Sequence, residues 1–150
     1  MAKSSMPGKS LEVGKVFVKV TDQDKLFYLF SKKDSKDSEK HNHLELIGGH
    51  IEDTDKDFMA GTIRELNEEE TTGLLAGKLS GQSPSRRVKI KGELHHIFEI
   101  SIELKEYERL KHGKKESLGF ELIPAAMLKK NKFRRSLTPK TRRIFEALGL

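Results

Sequence analysis

A short acidic run constrains this chain more than any other feature. Arg64-Glu65-Leu66-Asn67-Glu68-Glu69 sets three carboxylates at i, i+3 and i+4. On a helix those positions share a face, because residues three and four apart are neighbours on a 3.6-residue turn. Each like-charge pair at that spacing costs an isolated helix roughly 0.2–0.5 kcal/mol. A hard divalent cation offsets such repulsion, since Mg2+ and Mn2+ take oxygen ligands from a few carboxylates and from substrate phosphates. Periodicity supports the helix: Met59, Ile63 and Leu66 form an apolar stripe, and Glu65, Glu68 and Glu69 lie away from it. Asp55 and Asp57 fall where the helix begins, as acids near an N-terminus do. Taken alone, Glu68-Glu69-Glu70 reads as a solvated helix face. With Arg64, Glu65 and the preceding Gly48-Gly49, it reads as a site for metal and phosphate.

The stretch from Gly48 to Leu74 resembles the Nudix hydrolase signature, G-x5-E-x7-R-E-U-x-E-E-x-G-U, where U is a bulky aliphatic residue. Gly49 matches the opening glycine, Arg64-Glu65-Leu66-x-Glu68-Glu69 matches the central run without a gap, and Gly73-Leu74 resembles the close. The chain departs from the pattern in three ways. The early acid is Asp55, eight residues instead of seven separate it from Arg64, and three residues instead of one precede Gly73. The last difference implies a longer exit from the helix.

Composition bounds the alternatives. The 150 residues suit one domain with a real core, expected over residues 13–150 behind a flexible tail at 1–12. The absence of cysteine rules out disulfides, thiol catalysis and cysteine zinc sites, and fits an intracellular, cytoplasmic protein. No apolar run approaches a membrane span, so no membrane partner is expected. Net charge is +6 although the candidate site is acidic, so the positive charge lies elsewhere. It gathers at Lys32-Lys33, from Arg86 to Lys91, from Lys111 to Lys115, and from Lys129 to Arg143. These stretches lack interleaved aromatics, which argues against single-strand stacking and for a rim that attracts phosphates.

Along the chain, VGKVFVKV from Val13 and KLFYLFS from Lys25 read as strands joined by a hairpin turn at Asp22-Gln23-Asp24. The charged segment from Lys32 to His41 reads as an exposed loop, and HLELI as a strand leading to Gly48-Gly49. His41, His43 and His50 match no compact zinc spacing. Residues 76–91 read as a loop with a possible short strand, 93–104 as a central strand, 105–115 as a loop or helical turn, and 117–124 as a last strand. A brief helix over 125–130 and a C-terminal helix from Thr138-Pro139 to Leu148 follow. In that last helix Ile144, Phe145 and Leu148 face the core, and Lys140, Arg142 and Arg143 face water.

This order suits a mixed sheet flanked by helices. The resemblance implies the same: an α/β fold, the Nudix-like α/β/α sandwich. It also implies Mg2+- or Mn2+-dependent hydrolysis of a pyrophosphate in a nucleoside diphosphate linked to X. Candidates for X-linked substrates are a nucleotide, a dinucleoside polyphosphate, a nucleotide sugar or an RNA 5' end. By that resemblance Glu65, Glu68 and Glu69 bind metal, with the Gly49 carbonyl and a distant acid, for which Glu116 stands ahead of Glu99 and Glu103. Glu65 is the candidate for activating water, Glu68 shares the catalytic group, and Arg64 holds a glutamate in place through a bidentate pair. Asp55 supports the metal shell through water or through Arg64. The expected assembly is a monomer or homodimer. The competing reading is a Nudix-like module that binds a nucleotide or RNA with reduced turnover.

Overall fold

β-Branched and aromatic residues alternating from Val13 to Val20 build the strand that the rest of the sheet pairs with. In the computed structural model, which describes residues 11–37, 40–113 and 117–150, the elements run as follows. β1 (Glu12–Asp22), β2 (Lys25–Lys33), β3 (Leu44–Glu45) and β4 (Ile47–His50) precede α1 (Phe58–Glu69) and α2 (Leu74–Leu79). β5 (Arg86–Ile90), β6 (Glu93–Glu103), α3 (Leu104–Tyr107) and β7 (Ser117–Pro124) come next. A single 3-10 turn (Ala125–Met127), α4 (Asn131–Arg135) and α5 (Pro139–Ala147) close the chain.

β1 pairs in parallel with β6 from Glu12↔Leu94 to Thr21↔Glu103. Its other edge is divided. From Val18 to Asp22 it pairs antiparallel with β2, and from Val13 to Val16 with β4. The two partners therefore part near Phe17, and β3, which pairs with β2, continues through Leu46 into β4 inside the fork. This fork is where the chain opens a cavity.

The period of two along β1 fills two cores. Val16, Val18 and Val20 pack with Leu29, Phe98 and Ile100 beneath Leu66 of α1 and Leu75 and Leu79 of α2. Phe17 turns to the opposite face, with Phe30 and Ile97 beneath Phe133 of α4 and Ile144 and Phe145 of α5. Its ring lies 5.6 Å from that of Phe145. Full burial of such a side chain stabilises the fold by about 1.5–3 kcal/mol, so the sheet is clamped from both sides. α1 itself starts at Asp57, whose carboxylate accepts from the Ala60 N–H at 2.8 Å. It sits close on β1 because Gly14 carries no side chain: a Cβ there would collide with Thr62.

Several expectations shift. Leu11 and Glu12, assigned to the tail, are tied to the sheet; the Leu94 N–H donates to the Leu11 carbonyl at 2.7 Å. HLELI is two short strands broken at Leu46, and Gly48-Gly49 belong to β4 instead of following it. α2 and α4 fall where no helix was expected, since six- and five-residue helices offer too few turns for a readable apolar stripe. Thr138 precedes α5 but does not cap it; its hydroxyl donates to Thr141 Oγ1 at 3.0 Å. Arg142 is not left to water either, as it donates to the carbonyls of Arg134 and Leu137. Among the described residues, no helix is long and apolar enough to cross a membrane.

Candidate active site

The cavity at the fork has a volume of about 600 Å3. Gly48 and Gly49 of β4 reach it, Glu65, Glu68 and Glu69 of α1 form one wall, and Lys140 and Arg143 of α5 stand on another. Lys15 of β1, Glu45 of β3, Glu52 and Lys40 complete the features that bear charge, with Lys33 at the end of β2.

Arg64 organises the acid wall. Its Nε and Nη2 donate to Asp55 Oδ1 and Oδ2, both at 3.0 Å, a bidentate pair. Nη1 donates to Glu65 at 3.1 Å and Glu68 at 3.2 Å, and Nη2 also reaches the His50 carbonyl at 3.1 Å. The guanidinium beside Asp55 holds that carboxyl below its usual range. Asp55 also accepts from the Glu52 N–H at 2.7 Å, which closes the loop between β4 and α1. One arginine thus fixes the loop, the strand before it and two glutamates.

Glu69 is held differently. It accepts from the Gly48 N–H at 2.9 Å. Desolvation pushes its carboxyl up to about 8, against the pull of Lys15 and the Gly48 N–H and with a further push from Glu45 and Glu65. Lys15 is only 6% exposed and donates to the Leu46 carbonyl at 3.3 Å and the Gly48 carbonyl at 3.5 Å. Gly49 is a glycine for a steric reason: a Cβ there would strike the Glu65 carboxylate, so backbone and acid lie in direct apposition. Behind this wall Glu93 joins three elements, accepting from His50 at 2.9 Å and Lys140 at 3.2 Å with His95 Nε2 at 3.5 Å. Burial pushes His95 down to about 4, so it is neutral at physiological pH, and its Nδ1 has no partner among the described residues.

No family model matches the sequence, and no curated protein matches it either. Solved structures do. The E. coli dihydroneopterin triphosphate pyrophosphohydrolase superposes with a TM-score of 0.61 at 16% identity, over 95% of this chain and 98% of that one. The Nudix domain of Shewanella oneidensis NrtR, solved with ADP-ribose, gives 0.57 at 12% identity over 93% and 86%. The fold is that of the Nudix hydrolases. A C. elegans Ap4A hydrolase superposes as well, with a TM-score of 0.55, 10% identity, and coverage of 92% and 94%.

On this Nudix fold the signature residues fall in one place. Glu65, Glu68, Glu69 and Gly49 all line the cavity, and Arg64 lies behind them. Arg64 makes its bidentate pair with Asp55, while each glutamate receives one bond from it. Glu99 pairs with Lys19 at 3.0 Å and Glu103 sits at the start of α3, so neither lines the cavity. Glu116 lies outside the described residues. The histidines separate: His50 lines the cavity, while His41 and His43 belong to the loop before β3. Sequence reading missed Lys15, Glu45 and Glu52 as members of the site; Lys140 and Arg143 were expected to face water within a basic stretch that attracts phosphates, and both line the cavity. Lys15 alone carried a signal, a lysine inside an apolar strand; the others are assembled by the fork.

Among the described residues, no three candidate ligands converge as they stand. The donor chemistry nevertheless suits Mg2+ or Mn2+, because every acid at the wall offers hard oxygens. Glu69 supplies the fit: a shielded carboxyl with a single N–H donor is the group that a cation would return to its charged form.

Proposed function

We propose that this chain is a divalent-metal-dependent pyrophosphohydrolase acting on a nucleoside diphosphate linked to X. The observation that carries the reading is Glu69, a carboxyl pushed up to about 8 on a helix whose Glu65 and Glu68 line the same cavity. Perturbed groups gathered in a cleft mark functional sites. The neighbours with this fold include proteins named for hydrolysing dihydroneopterin triphosphate and Ap4A, and one solved with ADP-ribose.

In this reading Glu65, Glu68, Glu69 and the Gly49 carbonyl would hold Mg2+ or Mn2+. Such an ion neutralises phosphate oxygens and lowers the pKa of a water. The chain's own groups do the remainder. Glu65 orients the attacking water and accepts its proton, and Arg64 is a positioning residue that sets the direction of Glu65 and Glu68. The phosphate attacked passes from one anhydride oxygen to the water oxygen, and the other phosphate leaves. Lys15 offsets negative charge on the cavity floor.

Phosphate release from a nucleotide panel with Mg2+ or Mn2+, against an EDTA control, tests this. Release that needs the metal supports it. Tight nucleotide binding without release favours the binding module, which the altered spacings before Arg64 and after Glu69 leave in play.

A further inference from the structure

The cavity has walls of opposite sign. Facing the acids of α1 stand Lys140 and Arg143, three residues apart and so on one face of α5. Lys40 reaches the rim from the loop before β3, and Lys15 lies on the floor. Lys140 is engaged by Glu93, but among the described residues neither Lys40 nor Arg143 makes an ion pair. Lys15 is almost fully buried, and its two bonds to carbonyls are long, 3.3 and 3.5 Å. An ammonium has three donors. Its charge also acts on the Glu69 carboxyl, and among the described residues its hydrogen bonds go to those two carbonyls alone.

Among the described residues the lining contains no Phe, Tyr or Trp, and its one aromatic ring is His50, bound through Nε2 to Glu93 at 2.9 Å. A base would find charge on either side and only that imidazole, held by Glu93, to stack against. A bare phosphate would find three cations, each able to make a charge-assisted bond.

We propose that Lys15, Lys40 and Arg143 read a phosphate beyond the scissile anhydride. The chain then selects molecules with a triphosphate or longer chain and is indifferent to the base. This rests on the hydrolase reading above. A nucleotide sugar spends both phosphates at the acid wall and presents an uncharged sugar to the cations. A triphosphate leaves one more anion for them.

Calorimetric titration with Mg2+ present, using inorganic tripolyphosphate and pyrophosphate, tests the pocket without a base or a sugar. Tripolyphosphate is expected to bind at least about tenfold tighter, the size of one good charged contact, and the gap should shrink with salt. Arg143→Gln and Lys40→Gln together should remove most of it. Lys40 is exposed in a loop, so Lys40→Gln alone keeps the test available if the change in α5 impairs folding. Equal affinities, or a gap that survives the variants, would overturn the proposal. Rates on ATP, GTP, CTP and UTP against ADP-ribose and UDP-glucose separate the two readings. Preference for a nucleotide sugar, or strong discrimination among bases, defeats this proposal and leaves the hydrolase standing. A tripolyphosphate gap that the variants abolish, with no substrate cleaved, defeats the hydrolase reading and keeps the phosphate pocket.

Discussion

Glu69 and Glu70 are neighbours at the end of α1, yet the regions they enter treat a carboxylate in opposite ways. Glu70 is 1% exposed and surrounded by donors: the Thr72 N–H at 3.0 Å, the Thr72 hydroxyl, and the Lys111 N–H at 3.0 Å. Against the cost of its burial, those bonds hold it below the usual carboxylate range. Glu69 faces the cavity with one N–H, from Gly48, and is pushed up to about 8. The same side chain is a finished structural tie in one place and an unmet acceptor in the other. A buried acid with its donors satisfied holds a turn together; one left short of donors is where a ligand belongs.

Substituting each glutamate in turn gives the largest effects. Glu69→Gln should lower metal-dependent phosphate release by about a hundredfold or more, the scale of losing one electrostatic group at a reacting centre, with circular dichroism and the melting temperature at acidic pH nearly unchanged. Glu70→Ala should do the reverse. It strands the Thr72 and Lys111 N–H groups, costing about 1–3 kcal/mol of stability, while activity per folded molecule persists. Equal loss of activity in the two variants would erase the distinction.

The pH dependence sharpens it. A raised folded pKa means that the native state holds a proton the unfolded chain has released. The contribution of Glu69 is therefore present below its ordinary 4.5 and lost as pH rises through about 8. For Glu70 the folded pKa is lowered, so its contribution is present above 4.5 and lost as pH falls through the lower value. Thermal melts without metal should decline between pH 5.5 and 8.5, and Glu69→Gln should flatten that limb. Added Mg2+ should raise the melting temperature more at pH 8.5 than at pH 5.5; a uniform shift would count against metal at Glu69.

Smaller effects concern what surrounds the pair. Lys15→Met removes the cation that favours ionised Glu69, so the declining limb should extend to higher pH when melts are compared with wild type. The direction follows because Glu69 then resists ionisation more, so the native state holds its proton to a higher pH than before; a limb unchanged in steepness and position would show that Lys15 and Glu69 are uncoupled. Gly49→Ala should displace the Glu65 carboxylate and lower turnover by about tenfold, with a modest loss of stability read from the same melts.

The acidic run, its arginine and the glycines before it were legible in sequence because all sit within one helix and its approach, where spacing alone decides which side chains are neighbours. The strand alternation of β1 and the Thr138-Pro139 start of α5 were legible for the same local reason. The role of Glu70 was not, because its Lys111 donor lies 41 residues away. The basic stretch reaching Arg143 was read as a rim that attracts phosphates, but which of its residues reach the cavity was not legible. Lys15, Lys40, Lys140 and Arg143 meet only because β2 and β4 part along one edge of β1 and α5 packs its aromatic face beneath the opening. By itself the sequence determined the chemistry that one helix can offer. Which charges confront that helix across the cavity was decided by the tertiary structure, since long-range pairing, unlike helical spacing, sets distances between residues that the chain keeps far apart.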